Sequence, residues 1–395
     1  MKFERAAFSL DHAWSSPFVR WQGSLADVSS LEVAVAVTSD ALAQREVDRR
    51  AIDQVIFGST IPQASSFYAA PWIATQLGLD GVSGPHIAQA CATSVACLVA
   101  AAASVEADAG ALPLVIVTDR TSNGPLLIYP RSQAMGGSPV TEHWVLDSFA
   151  ADPATGQSMV ATAENVARDG KMSREALDEL TLLRFRQYQG ALADDRRFQR
   201  RYMQPVAMVR GRRAFRVDAD EGIHPYSADS LSALMPVQSG GIVTYGSQTH
   251  PADGCAGALV CAADRAKVAS RGDGVVRLLA GGFARAGKAQ MPKAATTAAE
   301  RALANAGLSI RDVKLVATHN PFAVNDLWFA QQTGFALDRM NAYGCSLIYG
   351  HPQGPTGLRG IVELAHALQM AGGGVGLFTG CAAGDTGAAL VLRVD

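Results

Sequence analysis

The stretch Pro85-His86-Ile87-Ala88-Gln89-Ala90-Cys91-Ala92-Thr93-Ser94 opens the segment on which the fold turns. Pro85 to Ala90 is a short extended run, and Cys91 to Ala107 follows as a helix built almost wholly of small residues. Leu114-Val115-Ile116-Val117-Thr118 is then a continuous apolar run of strand length, the pattern of a strand covered on both faces. Outward from there, Gln54 to Gly58 is another buried strand. Ser29 to Asp48 is a helix, with Ser29 and Glu32 spaced as a capping box. Strand and helix signals alternate, which predicts an α/β layered fold.

The same outline recurs downstream. Thr297 to Ala306 is helical, Val313 to Thr318 is a buried strand, and Phe322 to Thr333 and Gly357 to Met370 are helices. Val375 to Thr379 and Ala388 to Arg393 close the pattern as strands. Two such halves predict a duplicated α/β domain. Between them, from about Asp119 to Gly240, Pro, Gly and Arg accumulate, with helices from Gly156 to Ala167 and from Ser173 to Leu192. This middle section reads as a long insertion rather than sheet. Regular patterning resumes at Ile242 to Thr244 and Ala256 to Cys261. The expected division is therefore a first half over 1–120, completed by 241–268, an inserted domain over 121–240, and a second half over 269–395.

Composition narrows the function. The 395 residues are 48% hydrophobic and 18% charged, too apolar for a disordered chain. A net charge of -2 and 7% aromatics give no case for nucleic acid as a partner. No run reaches about 18 uninterrupted apolar residues, so no membrane span is expected, and the Ala96 to Val105 run reads as buried core. The start, Met1-Lys2-Phe3-Glu4-Arg5, lacks the pattern of a signal peptide, and cytoplasm is the default. None of the six cysteines forms a C-x-x-C pair, so zinc-ribbon spacing is absent.

Four residues stand at element ends where chemistry is easiest. Cys91 opens a helix after a short strand, where the helix dipole and free N–H groups favour a thiolate. The plainer reading is a buried core cysteine, as for Cys97. His351 sits in Gly350-His351-Pro352-Gln353-Gly354-Pro355-Thr356-Gly357, a stiff turn that can hold an imidazole against a thiol or merely use it to cap a carbonyl. His319 closes one strand and Cys381 follows another, and each could equally fill space. Duplicated halves could bring all four to one seam.

Several segments together resemble the thiolase family over nearly the whole chain. Pro17-Phe18-Val19-Arg20-Trp21-Gln22-Gly23-Ser24-Leu25-Ala26-Asp27 is similar to the family's TPFGRFGGSLAD opening. Gln89-Ala90-Cys91-Ala92-Thr93-Ser94 resembles the nucleophile segment C-x-S-G. Met159 with Thr162-Ala163-Glu164-Asn165-Val166-Ala167 resembles MG-x-TAENVA. Val243-Thr244-Tyr245-Gly246 and Asp253-Gly254 are similar to VTAGNASGINDGA. Gly350-His351-Pro352 with Gly354 and Gly357 matches GHPxGxxG, and Cys381-Ala382-Ala383-Gly384 falls where the family has CxGGG.

The resemblance implies two related α/β halves in an αβαβα layering with an inserted loop domain, coenzyme A thioesters as substrates, and no bound cofactor or metal. It implies that Cys91 accepts the acyl group, that His351 activates it, and that Cys381 is the general acid and base. One oxyanion hole would use the N–H groups of Cys91 and Ala383, and the other His351 and His319. Met159, Thr249 and Phe322 would contact the substrate, and Arg212 or Arg213 would approach the CoA phosphates. A homodimer or dimer of dimers is implied.

Departures from the pattern carry their own expectations. His319-Asn320-Pro321-Phe322 replaces NEAF and resembles the HDCF variant of sterol-carrier-type thiolases. Alanine at 382 and 383 is costly only if φ is positive there. A pocket methionine of the family falls near Ala286, which would enlarge the pocket for a bulky, branched or aromatic acyl group. The variant motifs leave open two other readings. One is a subunit that needs a small OB-fold partner. The other is a decarboxylating, ketoacyl-synthase-like enzyme using Cys91, His319 and His351.

Overall fold

The computed structural model describes residues 1–133, 135–210, 212–270, 272 and 274–395, the side chains of Arg210 and Arg213 excepted. Apolar runs pair into two six-stranded mixed sheets. The first runs Ala13–Ser15, Ala252–Leu259, Pro113–Arg120, Gln54–Gly58, His86–Ile87, with Val19–Arg20 also paired to Ala252–Leu259. The second runs Cys261–Ala262, Ala6–Ser9, Val275–Arg285, Thr386–Val394, Gly374–Ala382, Leu315–His319. In each, a parallel pair lies toward the site: Gln54–Gly58 beside Pro113–Arg120, and Leu315–His319 beside Gly374–Ala382.

The helices complete five layers. Thr93–Ala107 and Pro355–Met370 pack on each other and lie between the two sheets. Such a helix must be apolar on every side, and Val95, Cys97, Leu98, Ala101, Ala102 and Val105 are all buried. By length and composition alone Ala90–Ala107 could cross a membrane, but the fold uses it as the central layer. Ser30–Gln44 and Ala69–Gln76 cover the outer face of the first sheet, and Met291–Ala306 with Ala323–Thr333 that of the second. The αβαβα layering matches the expectation.

Four details differ from the sequence reading. Ser29 caps its helix alone, through its Oγ on the Leu31 N–H, and the helix ends at Gln44. Ile242 to Thr244 is loop, joined to Pro236 by an isolated bridge at Thr244. The middle section holds two small ribbons, Leu126–Tyr129 with Val140–His143 and Val206–Arg210 with Arg213–Val217. Finally, the first strand, Ala6–Ser9, does not join the sheet of the half that the sequence assigned it to. It pairs with Cys261–Ala262 and Val275–Arg285 in the second sheet. The first half therefore gives up strands to the second sheet.

The middle section is anchored by a buried ionic cluster. Arg359, on the central helix, reaches both oxygens of Asp220 at 2.6 and 2.8 Å and Glu363 at 3.0 Å. Its guanidinium lies 3.7 Å from the Tyr349 ring centroid, and Glu363 also accepts from the Tyr202 and Tyr349 hydroxyls. The Arg359 and Asp220 side chains are wholly buried. Removing one member of such a set leaves uncompensated charge in the interior. Arg359→Met is accordingly expected to lower unfolding stability by about 3–5 kcal/mol. Urea titration of the variant checks this, and a loss under about 1 kcal/mol would show the cluster to be solvated.

Candidate active site

The turn before the central helix holds Cys91 out of the backbone. Ala90 has φ 44°, an uncommon conformation for a residue with a Cβ. Thr93 locks it there: its Oγ1 donates to the Ala90 carbonyl at 2.7 Å and accepts from the Gln89 N–H at 2.8 Å. The helix begins at Thr93, two residues beyond Cys91. The second turn, 350–357, comes against it. Ser94 donates to the Gly354 carbonyl, and Gly354 donates its N–H to buried Asp119 at 2.9 Å. A Cβ on Gly354 would stand 2.8 Å from that carboxylate, so the close approach requires glycine. Asp119 also accepts from the Thr60 and Ile61 N–H groups and the Ser59 and Thr60 hydroxyls. Burial nevertheless pushes its carboxyl up to about 6.

These turns place His351 Nε2 3.1 Å from Cys91 Sγ. His351 Nδ1 lies 2.6 Å from Thr356 Oγ1, whose hydroxyl can accept the Nδ1 proton and so leave the Nε2 lone pair facing the thiol. Burial pushes the thiol up to about 12, opposed by the backbone N–H groups of Ala383 and Cys91 itself. Burial, and then the neighbouring His319, hold His351 well below the ordinary histidine range. At neutral pH the resting pair is therefore thiol and neutral imidazole, poised for proton transfer when charge develops on a substrate.

His319 stacks on His351, ring centroids 4.0 Å apart, and burial lowers it to about 3. Its Nδ1 is 3.0 Å from Ser346 Oγ. The Ser346 hydroxyl also reaches Asn320 Oδ1 at 3.2 Å; when it donates along its shorter contact, to His319, the ring proton is on Nε2. That Nε2 is buried and has no partner among the described residues. A neutral donor aimed into a site without a mate is what an oxyanion hole provides.

Cys381, at the end of Gly374–Ala382, faces the same space. Asn325 Nδ2 donates to its sulfur at 3.1 Å. Burial and then the nearby Cys91 raise its thiol, while Asn325 opposes them. Ala382 and Ala383 lie outside the positive-φ residues. The left-handed positions of this turn are Gly384 at 78° and Asp385 at 58°, so alanine carries no backbone strain at 382 or 383. Asp385 is held by the Ala289 and Gln290 N–H groups, each at 2.9 Å.

A cavity of about 200 Å³ lies among these groups, and His319 is not in its lining. Cys91, His351, Cys381 and Ala383 line it, with Phe149, Met159, Val160, Thr249, Met291 and Phe322 around them. Met159, Thr249 and Phe322, expected to contact substrate, line this cavity. Arg212, expected near the CoA phosphates, is exposed in the turn between Val206–Arg210 and Arg213–Val217. The Arg213 side chain lies outside the described residues. The wall of the cavity does hold a methionine. Ala286 gives its N–H to the Asp385 carbonyl away from the cavity, while Met291, in the first turn of Met291–Ala306, is buried in the wall. Thr356, Asn325 and Ser346 were missed, and only Thr356 had a signal, as a hydroxyl five residues after His351.

A thiol with an imidazole base, facing a second thiol and two sets of hydrogen-bond donors in an apolar cavity, defines a cysteine-dependent acyltransferase. The chain matches the Thiolase, N-terminal domain over residues 12–264 and the Thiolase, C-terminal domain over residues 275–394. It belongs to the thiolase family. It is 28% identical over 380 residues to an acetyl-CoA acetyltransferase of Escherichia coli (strain K12), covering 94% of this chain and 95% of that one. It is 29% identical over 427 residues to a 3-ketoacyl-CoA thiolase of Colwellia psychrerythraea, covering 96% and 95%. In fold it is similar to the crystal structure of the Bacillus anthracis acetyl-CoA acetyltransferase, with a TM-score of 0.90, 23% identity and 100% coverage of both chains. It is likewise similar to human mitochondrial 3-ketoacyl-CoA thiolase in complex with CoA, with a TM-score of 0.89, 23% identity, and coverage of 100% and 99%.

Proposed function

We propose that this acyltransferase is a thiolase acting on 3-oxoacyl-CoA, passing the acyl group through a thioester on Cys91 to coenzyme A. The observation that carries the reading is the Cys91–His351 pair at 3.1 Å with Cys381 across one cavity. In cleavage, His351 takes the Cys91 proton and the sulfur attacks the 3-keto carbon. The tetrahedral oxyanion lies toward the N–H groups of Cys91 and Ala383. The C2–C3 bond breaks, Cys381 gives its proton to the enolate carbon, and His351 and His319 hold the enolate oxygen. CoA then enters, Cys381 takes back a proton from its thiol, and the CoA sulfur displaces Cys91, which recovers its proton from His351. Condensation is the same sequence reversed.

Support for the acyl specificity comes from the wall. Phe149, Met291 and Phe322 suit an apolar acyl chain, and with Met291 in place the argument for an enlarged pocket at 286 falls away. Every reacting group comes from this chain, so an OB-fold partner is not called on for the chemistry. A decarboxylating condensing enzyme could use the Cys91, His319 and His351 cluster, whose sulfur and ring nitrogens lie within 4.8 Å of one another. Cys381, lodged in the same cavity and bonded by Asn325, favours the thiolase reading. We further propose a homo-oligomer, since the ribbon carries exposed apolar side chains on both faces, Leu126 and Ile128 on one and the cross-strand pair Tyr129 and Val140 on the other.

Intact-mass measurement after brief exposure to a 3-oxoacyl-CoA, followed by peptide mapping, tests the reading. One acyl group per chain is expected, on the Cys91 peptide, and none in Cys91→Ala. An adduct that persists in that variant would sink the assignment.

A further inference from the structure

The mechanism just proposed leaves a proton stranded. Between the two half-reactions the Cys91 sulfur is a thioester and can no longer pair with His351, yet His351 still carries the proton that Cys91 gave up. Cys381, having protonated the enolate, is a thiolate over the same interval. Charge balances across the cavity, but the imidazolium Nε2–H has lost its partner in a buried place. Buried charged donors need an acceptor, or the proton leaves.

Gln353 stands at that point. Its side chain is buried at 7% exposure, and its Oε1 lies 3.3 Å from Cys91 Sγ, beside the 3.1 Å contact of Cys91 with His351 Nε2. The backbone at Gln353 has φ 64°, a strained conformation that turns an unbranched polar side chain into the cavity wall instead of out of it. We infer that Gln353 is a positioning residue: its amide oxygen lies beside the Cys91 thiol in the resting enzyme and accepts the His351 Nε2–H while the acyl group is on Cys91. The inference rests on the thiolase reading and deepens it. No bond to Gln353 is made or broken. One proton moves from Cys91 to His351 and back, and the amide oxygen is its neighbour in both places.

The other groups around His351 do not take this part. Thr356 serves Nδ1. His319 is neutral, stacked on the ring, and opposes a positive charge there, whereas the Gln353 amide works in the opposite direction. Cys381 is across the cavity and is needed as the base for CoA. Asp119 is engaged by five donors on the far side of Gly354.

The test is single-turnover transfer to CoA from enzyme already acylated at Cys91, followed across pH. Gln353→Met keeps length and an unbranched Cβ, so the backbone strain is unchanged, and it removes the acceptor. Gln353→Glu strengthens it. A hydrogen bond to a charged group is worth roughly ten- to hundredfold in an equilibrium. The alkaline limb, which reports loss of the His351 proton, should therefore fall about one to two pH units lower in the Met variant. Transfer near pH 8 should drop by a similar factor and recover on acidification. In the Glu variant the limb should move higher. Thermal melting of both variants separates folding from chemistry, because a folding defect lowers the active fraction without moving a limb. Limbs that stay in place in both variants overturn this assignment alone. A wild-type chain that takes up no acyl group from any thioester overturns the functional reading and this assignment with it.

Discussion

Cys381→Ala is expected to yield a protein that can be acylated at Cys91 but does not turn over. Its sulfur is buried at the cavity wall and receives a hydrogen bond from Asn325. Its loss should leave melting close to wild type. What disappears is the proton donor for the enolate and the base for the CoA thiol, the two transfers that separate the half-reactions. General acid–base catalysis of this kind contributes about 10²–10⁴-fold. Steady-state thiolysis should fall by that factor or more, while an activated aryl thioester, whose leaving group needs no proton, still acylates Cys91. Mass spectrometry reads the acylation and CoA consumption reads the turnover. Normal turnover in the variant would mean that some other group handles both protons, and the mechanism as drawn would be wrong.

His319→Ala should be the next most damaging change at the site that leaves the nucleophile intact. The buried Nε2 has no partner among the described residues, and a Ser346 hydroxyl that donates to Nδ1 holds the ring as an Nε2–H donor. Loss of one oxyanion-hole donor costs about 10²–10³ in rate. His319→Asn keeps a donor at nearly the same place and should be markedly more active than the alanine variant. The ratio of the two is the informative number. Equal loss in both would show that His319 moves a proton, since asparagine can donate a hydrogen bond but cannot titrate.

The layered fold and the four reacting side chains could be read in the sequence because each lies in a short contiguous motif at the end of a clear element. Cys91 follows a strand and precedes a helix of mostly small, apolar residues; His351 lies in a Pro/Gly-framed turn. What escaped notice is held together by residues far apart in the chain. Asn325 meets Cys381 only because Ala323–Thr333 packs beside Gly374–Ala382, and Ser346 meets His319 across 27 positions. The eleven-residue strand Val275–Arg285 went unseen because Gly281 and Gly282 interrupt its apolar run. At Gly282 a Cβ would lie 2.5 Å from the Ala302 backbone nitrogen, so glycine there lets the outer helix settle on the sheet. Gln353 occupies a position that the motif leaves open, so only its distance to Cys91 reveals it.

The displaced strand Ala6–Ser9 has a consequence for how the protein is made. Ala6–Ser9 lies between Cys261–Ala262 and Val275–Arg285, so both of its neighbours are encoded more than half a chain downstream. As the polypeptide leaves the ribosome, these first residues must wait for their partners. At typical elongation rates that delay is on the order of tens of seconds. The buried Phe8 stays uncovered for that whole interval. The first half cannot be finished vectorially, and closing the second sheet is what stitches the amino end into the fold.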